Sequence, residues 1–226
     1  MTLPASLPDF VPLFIDGHWT GSARRQAGTA PFTGAPLPPV CECEEAQLDD
    51  ALDAAVRASI QVVEMPARER AARLYAAAAA VRDAAPDLAR IMALETGKPV
   101  RDGLTEALRS AETLELSAQE GLRIEGAQVP MESSAIGAGK LGVSLRFPVG
   151  VVAAITPFNA PINLTAHKLG PAWAAGNAVI LKPSPQAALT IHRLVEVILG
   201  AGIPSHWLQL VQGDEAAARM VRAPQV

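Results

Sequence analysis

Apolar positions along this chain change their spacing twice, and the changes predict three kinds of element. Residues 11–20 read VPLFIDGHWT, with Phe14 and Ile15 before Asp16-Gly17 and Trp19 after it. Asp-Gly between short apolar runs favours a tight reversal, so a β-hairpin is predicted here. Residues 28–39 are rich in Gly, Pro and Thr and read as loop. From Ala46 to Glu64 the spacing becomes helical: Leu48, Leu52, Ala55, Val56 and Val62 or Val63 recur at three- and four-residue steps. Pro66 can open a second helix, where its missing N–H costs nothing. That helix carries Leu74, Ala77, Ala78 and Val81 on one face, and its Ala76–Ala80 run is strongly helix-forming. Pro86 reads as the start of a third helix with Leu88, Ile91, Met92 and Leu94, closed by Gly97 and Pro99. A fourth helix is predicted over about 101–121.

The second change comes at 140–147, KLGVSLRF. Leu141, Val143, Leu145 and Phe147 alternate with polar or small residues, which predicts a half-buried strand. VVAAI at 151–155 is a continuous apolar run, as a buried parallel strand requires. A helix over 161–175 follows, introduced by Pro161. Then come a strand at 177–181, an amphipathic helix at 186–200 and a strand at 208–211, followed by Gly213. The β-α-β-α-β order predicts an α/β fold with one half of a doubly wound parallel sheet. Cut after its third strand, such a sheet leaves the first strand's long apolar edge unpaired. Aggregation or a partner is then expected.

Composition narrows the possibilities. The chain has 226 residues, half of them hydrophobic, enough for a sizeable core in one or two domains. Its net charge of −4, from 19 Lys and Arg against 23 Asp and Glu, gives no clustered positive charge to hold nucleic acid or a membrane surface. No apolar run approaches the ~18 residues of a membrane span. Residues 1–10 lack the features of a signal peptide, so a cytoplasmic protein is expected. Cys41 and Cys43, one residue apart, make a poor disulfide pair and half a metal site at best. His18, His167, His192 and His206 show no metal-ligand spacing.

Residues 137–142, GAGKLG, fit the G-x-G-x-x-G dinucleotide pattern. The mechanism of that pattern needs a strand before it and a helix after it, so that a pyrophosphate meets the helix N-terminus. Here MESSAI precedes and a strand follows, so the segment reads as a hairpin turn. Nor is it a phosphate-binding loop of the GK[ST] kind, because Leu141 follows Lys140.

Residues 150–183 read GVVAAITPFNAPINLTAHKLGPAWAAGNAVILKP. This stretch resembles the aldehyde dehydrogenase superfamily: a Gly-Val-Val strand, a Pro-[Trp/Phe]-Asn-x-Pro turn, a helix, then Ala-Gly-Asn-x-Val-x-Leu-Lys-Pro. AGIPSHWLQLVQGD at 201–214, IDGHW at 15–19 and ETGKP at 95–99 resemble further landmarks of that family in the same order. The resemblance implies an N-terminal hairpin plus the helical part of a cofactor-binding domain over 1–130, an oligomerisation hairpin over 131–148, and an incomplete Rossmann-like half of the NAD(P)-binding fold over 149–226. It implies that Asn159 donates its amide to the oxyanion of a thiohemiacetal. From the residues alone, without that motif, Asn159 reads as a cap for the helix that starts near Pro161.

By the same resemblance Ile155, Thr156, Pro157 and Phe158 line the nicotinamide side of a cleft, with Asn159 beside them. Phe158 stands where Trp is more usual and could instead be core packing. Lys182 reaches the adenosine ribose or a 2′-phosphate, or is merely solvated, and Ser184, Pro185 and Gly213 complete the cofactor set. Many NAD-preferring members have Glu where Pro185 stands. Its absence, with Ser184 as a donor, leaves room for a 2′-phosphate, so NAD or NADP is expected.

The resemblance also says what residues 1–226 lack. In the family a cysteine nucleophile and a glutamate base lie downstream of every motif matched here. Cys41 and Cys43 precede the cofactor fold and cannot stand in. The expected activity is therefore NAD(P)-dependent oxidation of a small polar aldehyde to its acid by a full-length dimer or tetramer, with these residues alone inactive. Two alternatives stand beside it: an acylating dehydrogenase, and a non-catalytic module that binds cofactor and oligomerises with a complete partner.

Overall fold

The computed structural model describes residues 7–226. The reading of residues 1–10 as lacking a signal peptide lies mostly outside them. The predicted hairpin forms from β1 (Leu13–Ile15) and β2 (His18–Thr20), with Phe14 opposite Trp19. Asp16 and Gly17 both take positive φ, 48° and 82°. That pair of left-handed residues makes the turn whose twist matches two antiparallel strands.

The stretch read as loop, 28–39, is loop only over 30–35; its two ends belong to strands. β3 (Arg25–Thr29) pairs antiparallel with β4 (Pro36–Cys41), with an irregularity between Gln26 and Gly28. The prolines that argued against a strand sit in a two-stranded ribbon, where a missing N–H leaves little of the ladder unmade.

Three long helices follow: α1 (Glu45–Glu64), α2 (Ala67–Thr96) and α3 (Val100–Gly121). The expected break at Pro86 is absent, and α2 runs through it for 30 residues. Pro86 lies on the exposed side of the helix, where the carbonyl left without a partner faces solvent. α2 ends at Gly97, whose left-handed backbone (φ 76°) lets its N–H donate to Ala93 O at 3.1 Å.

An arm then leaves the body. β5 (Ala127–Val129) pairs antiparallel with β6 (Gly142–Ser144), and the GAGKLG segment runs through the turn-rich connection between them, its last residue Gly142 opening β6. The half-buried strand expected over 140–147 is not found. Only 142–144 is strand, and Leu141, Val143, Leu145 and Phe147 are all exposed. Alternation fixed which side chains share a face, but nothing among the described residues covers that face.

The remaining chain builds the sheet: β7 (Val151–Ile155), α4 (Pro161–Ala174), β8 (Ala178–Lys182), α5 (Ala188–Gly200), β9 (Leu208–Leu210) and a short α6 (Asp214–Met220). β7, β8 and β9 are parallel, with Ile155 opposite Lys182 and Leu181 opposite Leu210. The full order is β2-β1-β9-β8-β7, because β1 adds antiparallel to β9 through Phe14 and Leu210. β7 is the outer strand, as the half-sheet reading required; that the N-terminal hairpin extends the far side was not legible in the pattern. Side chains leave β8 alternately. Ile180 packs with Leu48, Leu52, Val211 and Met220 on the face under α1, while Val179 and Leu181 pack with Trp173, Ile191 and Leu194 on the face under α4 and α5. α2 and α3 close over that second face. No helix of the described residues is long and apolar enough to cross a membrane.

Candidate active site

The strands β7 and β8 end side by side, with Thr156 N–H donating to Lys182 O at 3.1 Å. In open parallel sheets this carboxyl edge is where ligands bind. Ile155, Pro157, Phe158 and Asn159 are exposed in the turn from β7 to α4, and Thr156 is buried beneath them. Phe158 is 48% exposed, so it does not serve as core packing. It lines a cavity of about 300 Å³ with Pro185, Gln186, Glu95, Thr96 and Leu189. The fold thus brings two of the predicted residues, Phe158 and Pro185, to one opening.

Lys182 is not merely solvated. It is 6% exposed at the end of β8, and its ammonium donates to the carboxylate of Asp214 at 3.0 Å. Asp214 opens α6 directly after Gly213, whose φ of 101° turns the chain out of β9. Ser184 Oγ accepts weakly from Gln186 N–H at 3.4 Å in the turn before α5. Lys182 and Gly213 are therefore neighbours through Asp214, on the same sheet edge as the turn that bears Asn159.

Asn159 does not cap α4. The N-cap residue is Ala160, which has no side chain to offer. The free N–H groups of Ile162 and Asn163 instead donate to Glu106 Oε1 on α3, at 2.9 and 3.2 Å. Glu106 is buried and forms an ion pair with Lys98, and the Lys98 ammonium also donates to the backbone O of Asn159 at 2.7 Å. A carboxylate at a helix N-terminus is held by real donors and by the favourable end of the helix dipole. The Asn159 amide is left with no hydrogen bond to any described residue, in an exposed turn.

A second carboxylate does the same for α5. Glu95 accepts from Leu189 N–H at 2.8 Å, Thr190 N–H at 2.7 Å and the Thr190 hydroxyl at 2.5 Å. Burial pushes its carboxyl above the usual range, and the three hydrogen bonds pull it back. Glu95, Lys98 and Glu106 were not singled out by the sequence. ETGKP marked two of them only as a landmark, and no spacing rule links Glu106 to an amide 56 residues away.

The two cysteines are both buried on the α1 face of the sheet, away from Asn159. Burial pushes the Cys43 thiol up to about 12, with Arg219 opposing and Glu44 and Asp49 assisting. A thiol held protonated is a poor nucleophile.

Residues 19–226 match the model of the aldehyde dehydrogenase family. The chain belongs to that family. It is similar to 3-sulfolactaldehyde dehydrogenase of Priestia aryabhattai, 37% identical over 204 residues that make up 90% of this chain and 42% of that protein. It is similar to sulfoacetaldehyde dehydrogenase of Neptuniibacter caesariensis, 34% identical over 80% of this chain and 40% of the other. Among solved structures, NADP-dependent glyceraldehyde-3-phosphate dehydrogenase of Bacillus halodurans, complexed with NADP, superposes with a TM-score of 0.92 at 30% identity, over 96% of this chain and 47% of that one. The chain thus spans less than half the length of these aldehyde dehydrogenases.

Proposed function

We propose that this chain forms part of an NAD(P)-dependent dehydrogenase that oxidises a small polar aldehyde to its carboxylic acid, and that Asn159 supplies an oxyanion donor. The observation that carries the reading is the uncommitted Asn159 amide at the carboxyl edge of the sheet, relieved of helix capping by Glu106. In the complete protein a cysteine thiolate, from sequence outside these residues, attacks the aldehyde. The Asn159 amide then donates to the oxygen of the thiohemiacetal as negative charge develops there. A nicotinamide held beside that turn would supply the hydride acceptor.

The residues present suit a dinucleotide. Ile155, Pro157 and Phe158 form an open wall beside Asn159, over the buried Thr156, and Lys182 offers a fixed ammonium at the sheet edge, flanked by Ser184, Pro185 and Gly213. The Asp214 side chain is 93% exposed and already neutralised by that ammonium, and Pro185 with Ser184 leaves room for a 2′-phosphate, so the reading is NAD or NADP. The named substrates of the relatives carry sulfonate or phosphate groups, which supports a small anionic aldehyde here. The bare apolar face of the β5–β6 arm is the surface on which a homo-oligomer would close. Residues 1–226 by themselves present no cysteine to Asn159, so alone they are expected to show no turnover.

The test is Asn159→Ala in the complete protein. kcat is expected to fall ~10²–10³-fold, with dinucleotide affinity within about twofold of wild type. An unchanged kcat would remove Asn159 from the chemistry.

A further inference from the structure

Asn159 contributes only if its amide is held where charge develops, and the turn that bears it is neither helix nor strand. Two contacts from the α2–α3 helical region fix that turn. Lys98, just past the end of α2, holds the carbonyl of Asn159 itself, at 2.7 Å. Glu106, on α3, holds the two amides that follow it at the start of α4 and is ion-paired to the same lysine. Both side chains are largely withdrawn from solvent, 22% and 7% exposed. Each end of the Asn159 peptide segment is thus tied to one Lys–Glu unit, and the side-chain amide is the part left free.

We propose that Lys98 and Glu106 are positioning residues that clamp the Asn159 turn, so that its amide donates along the required direction. This rests on the function proposed above, since it assigns them a role through Asn159. Neither touches the reacting atoms. Their contribution is geometric: loss of the clamp lets the amide wander by a fraction of an ångström to an ångström, and displacements of that size cost rate steeply.

The experiment uses the complete protein, assayed on a panel of short aliphatic, carboxylated, phosphorylated and sulfonated aldehydes. Lys98→Met keeps the aliphatic stem and removes the charge; Glu106→Ala removes the helix cap as well. Both are expected to lower kcat about ten- to hundredfold, with KM for the dinucleotide within about twofold. Glu106→Gln keeps an acceptor for the α4 amides and is expected to recover part of the loss. In an Asn159→Ala background, Lys98→Met should cost less than about twofold more, because both changes act through one amide. The same loss in both backgrounds overturns the proposal.

Hydrogen exchange at the Ile162 and Asn163 amides supplies a readout independent of turnover. It is expected to speed up in Glu106→Ala and to stay unchanged in Asn159→Ala. Exchange as slow in Glu106→Ala as in wild type overturns the clamp. A wild type without turnover, or an Asn159→Ala variant as active as wild type, overturns the proposed function instead, and the exchange measurement then decides the clamp alone.

Discussion

The interior strand β8 and the β5–β6 arm are built from similar residues and end in opposite environments. All five residues of β8, AVILK, are buried, including its lysine. In the arm, Val143, Leu145 and Phe147 are 64%, 68% and 77% exposed. Apolar composition and a period of two are common to strands in both settings. The difference lies in what the rest of the chain brings to each face. β8 has a strand on either side and helices above and below, whereas the arm has one partner strand and, among the described residues, no layer over it. An apolar pattern therefore states which residues want cover, and the topology states whether this chain supplies it.

The largest effect that could break this contrast is in the sheet. Ile180→Ala removes a fully buried side chain from the face under α1 and should cost about 2–5 kcal/mol, measured by urea denaturation. A cost below about 0.5 kcal/mol would mean that β8 is not packed as described.

A smaller effect sits where the hairpin meets the body. His192 on α5 packs edge-on against Trp19, with ring centroids 4.6 Å apart, and its Nδ1 is buried without a partner. Burial holds its pKa below the ordinary value, with Glu196 opposing and Arg193 assisting. The unfolded chain therefore binds a proton more readily than the folded one. The stability this confers is full above about pH 6.5 and is lost as pH falls from there through the lower folded value. Thermal unfolding of wild type should weaken between about pH 7 and 5, and His192→Gln should flatten that part of the profile. Parallel profiles for the two proteins would contradict the burial of His192.

The smallest effect on stability belongs to the arm. Leu145→Ser with Phe147→Ser should change stability by less than about 0.5 kcal/mol, because neither side chain is covered. Self-association, followed by sedimentation, should fall. A loss of stability comparable to that of Ile180→Ala would show that the arm is packed after all.

Much of the site was legible before the fold. The turn ITPFN, the strand that precedes it and Lys182 at the end of the next strand are local features, and each occupies the place its pattern assigned. Short-range rules failed where two influences competed. The ends of the Gly- and Pro-rich stretch at 28–39 joined a ribbon because prolines are tolerated in a two-stranded pairing, and Pro86 failed to end α2 because solvent receives the carbonyl it frees. Asn159 was open between capping and catalysis, and the arrival of Glu106 at the same helix end removes the capping role.

The sequence by itself determined the periodic elements, the parallel order of β7, β8 and β9, and the family, because hydrophobic period, turn chemistry and motif order are all written within a few residues of each other. The tertiary structure decided three things. The N-terminal hairpin joins the sheet beside β9, the arm's apolar face stays bare, and the start of each site helix is held by a carboxylate 56 or 94 residues upstream. The physical reason is common to all three. A buried amide accepts any carboxylate that the fold can bring within hydrogen-bonding distance, and an apolar face accepts any cover. Neither demand names its partner along the chain.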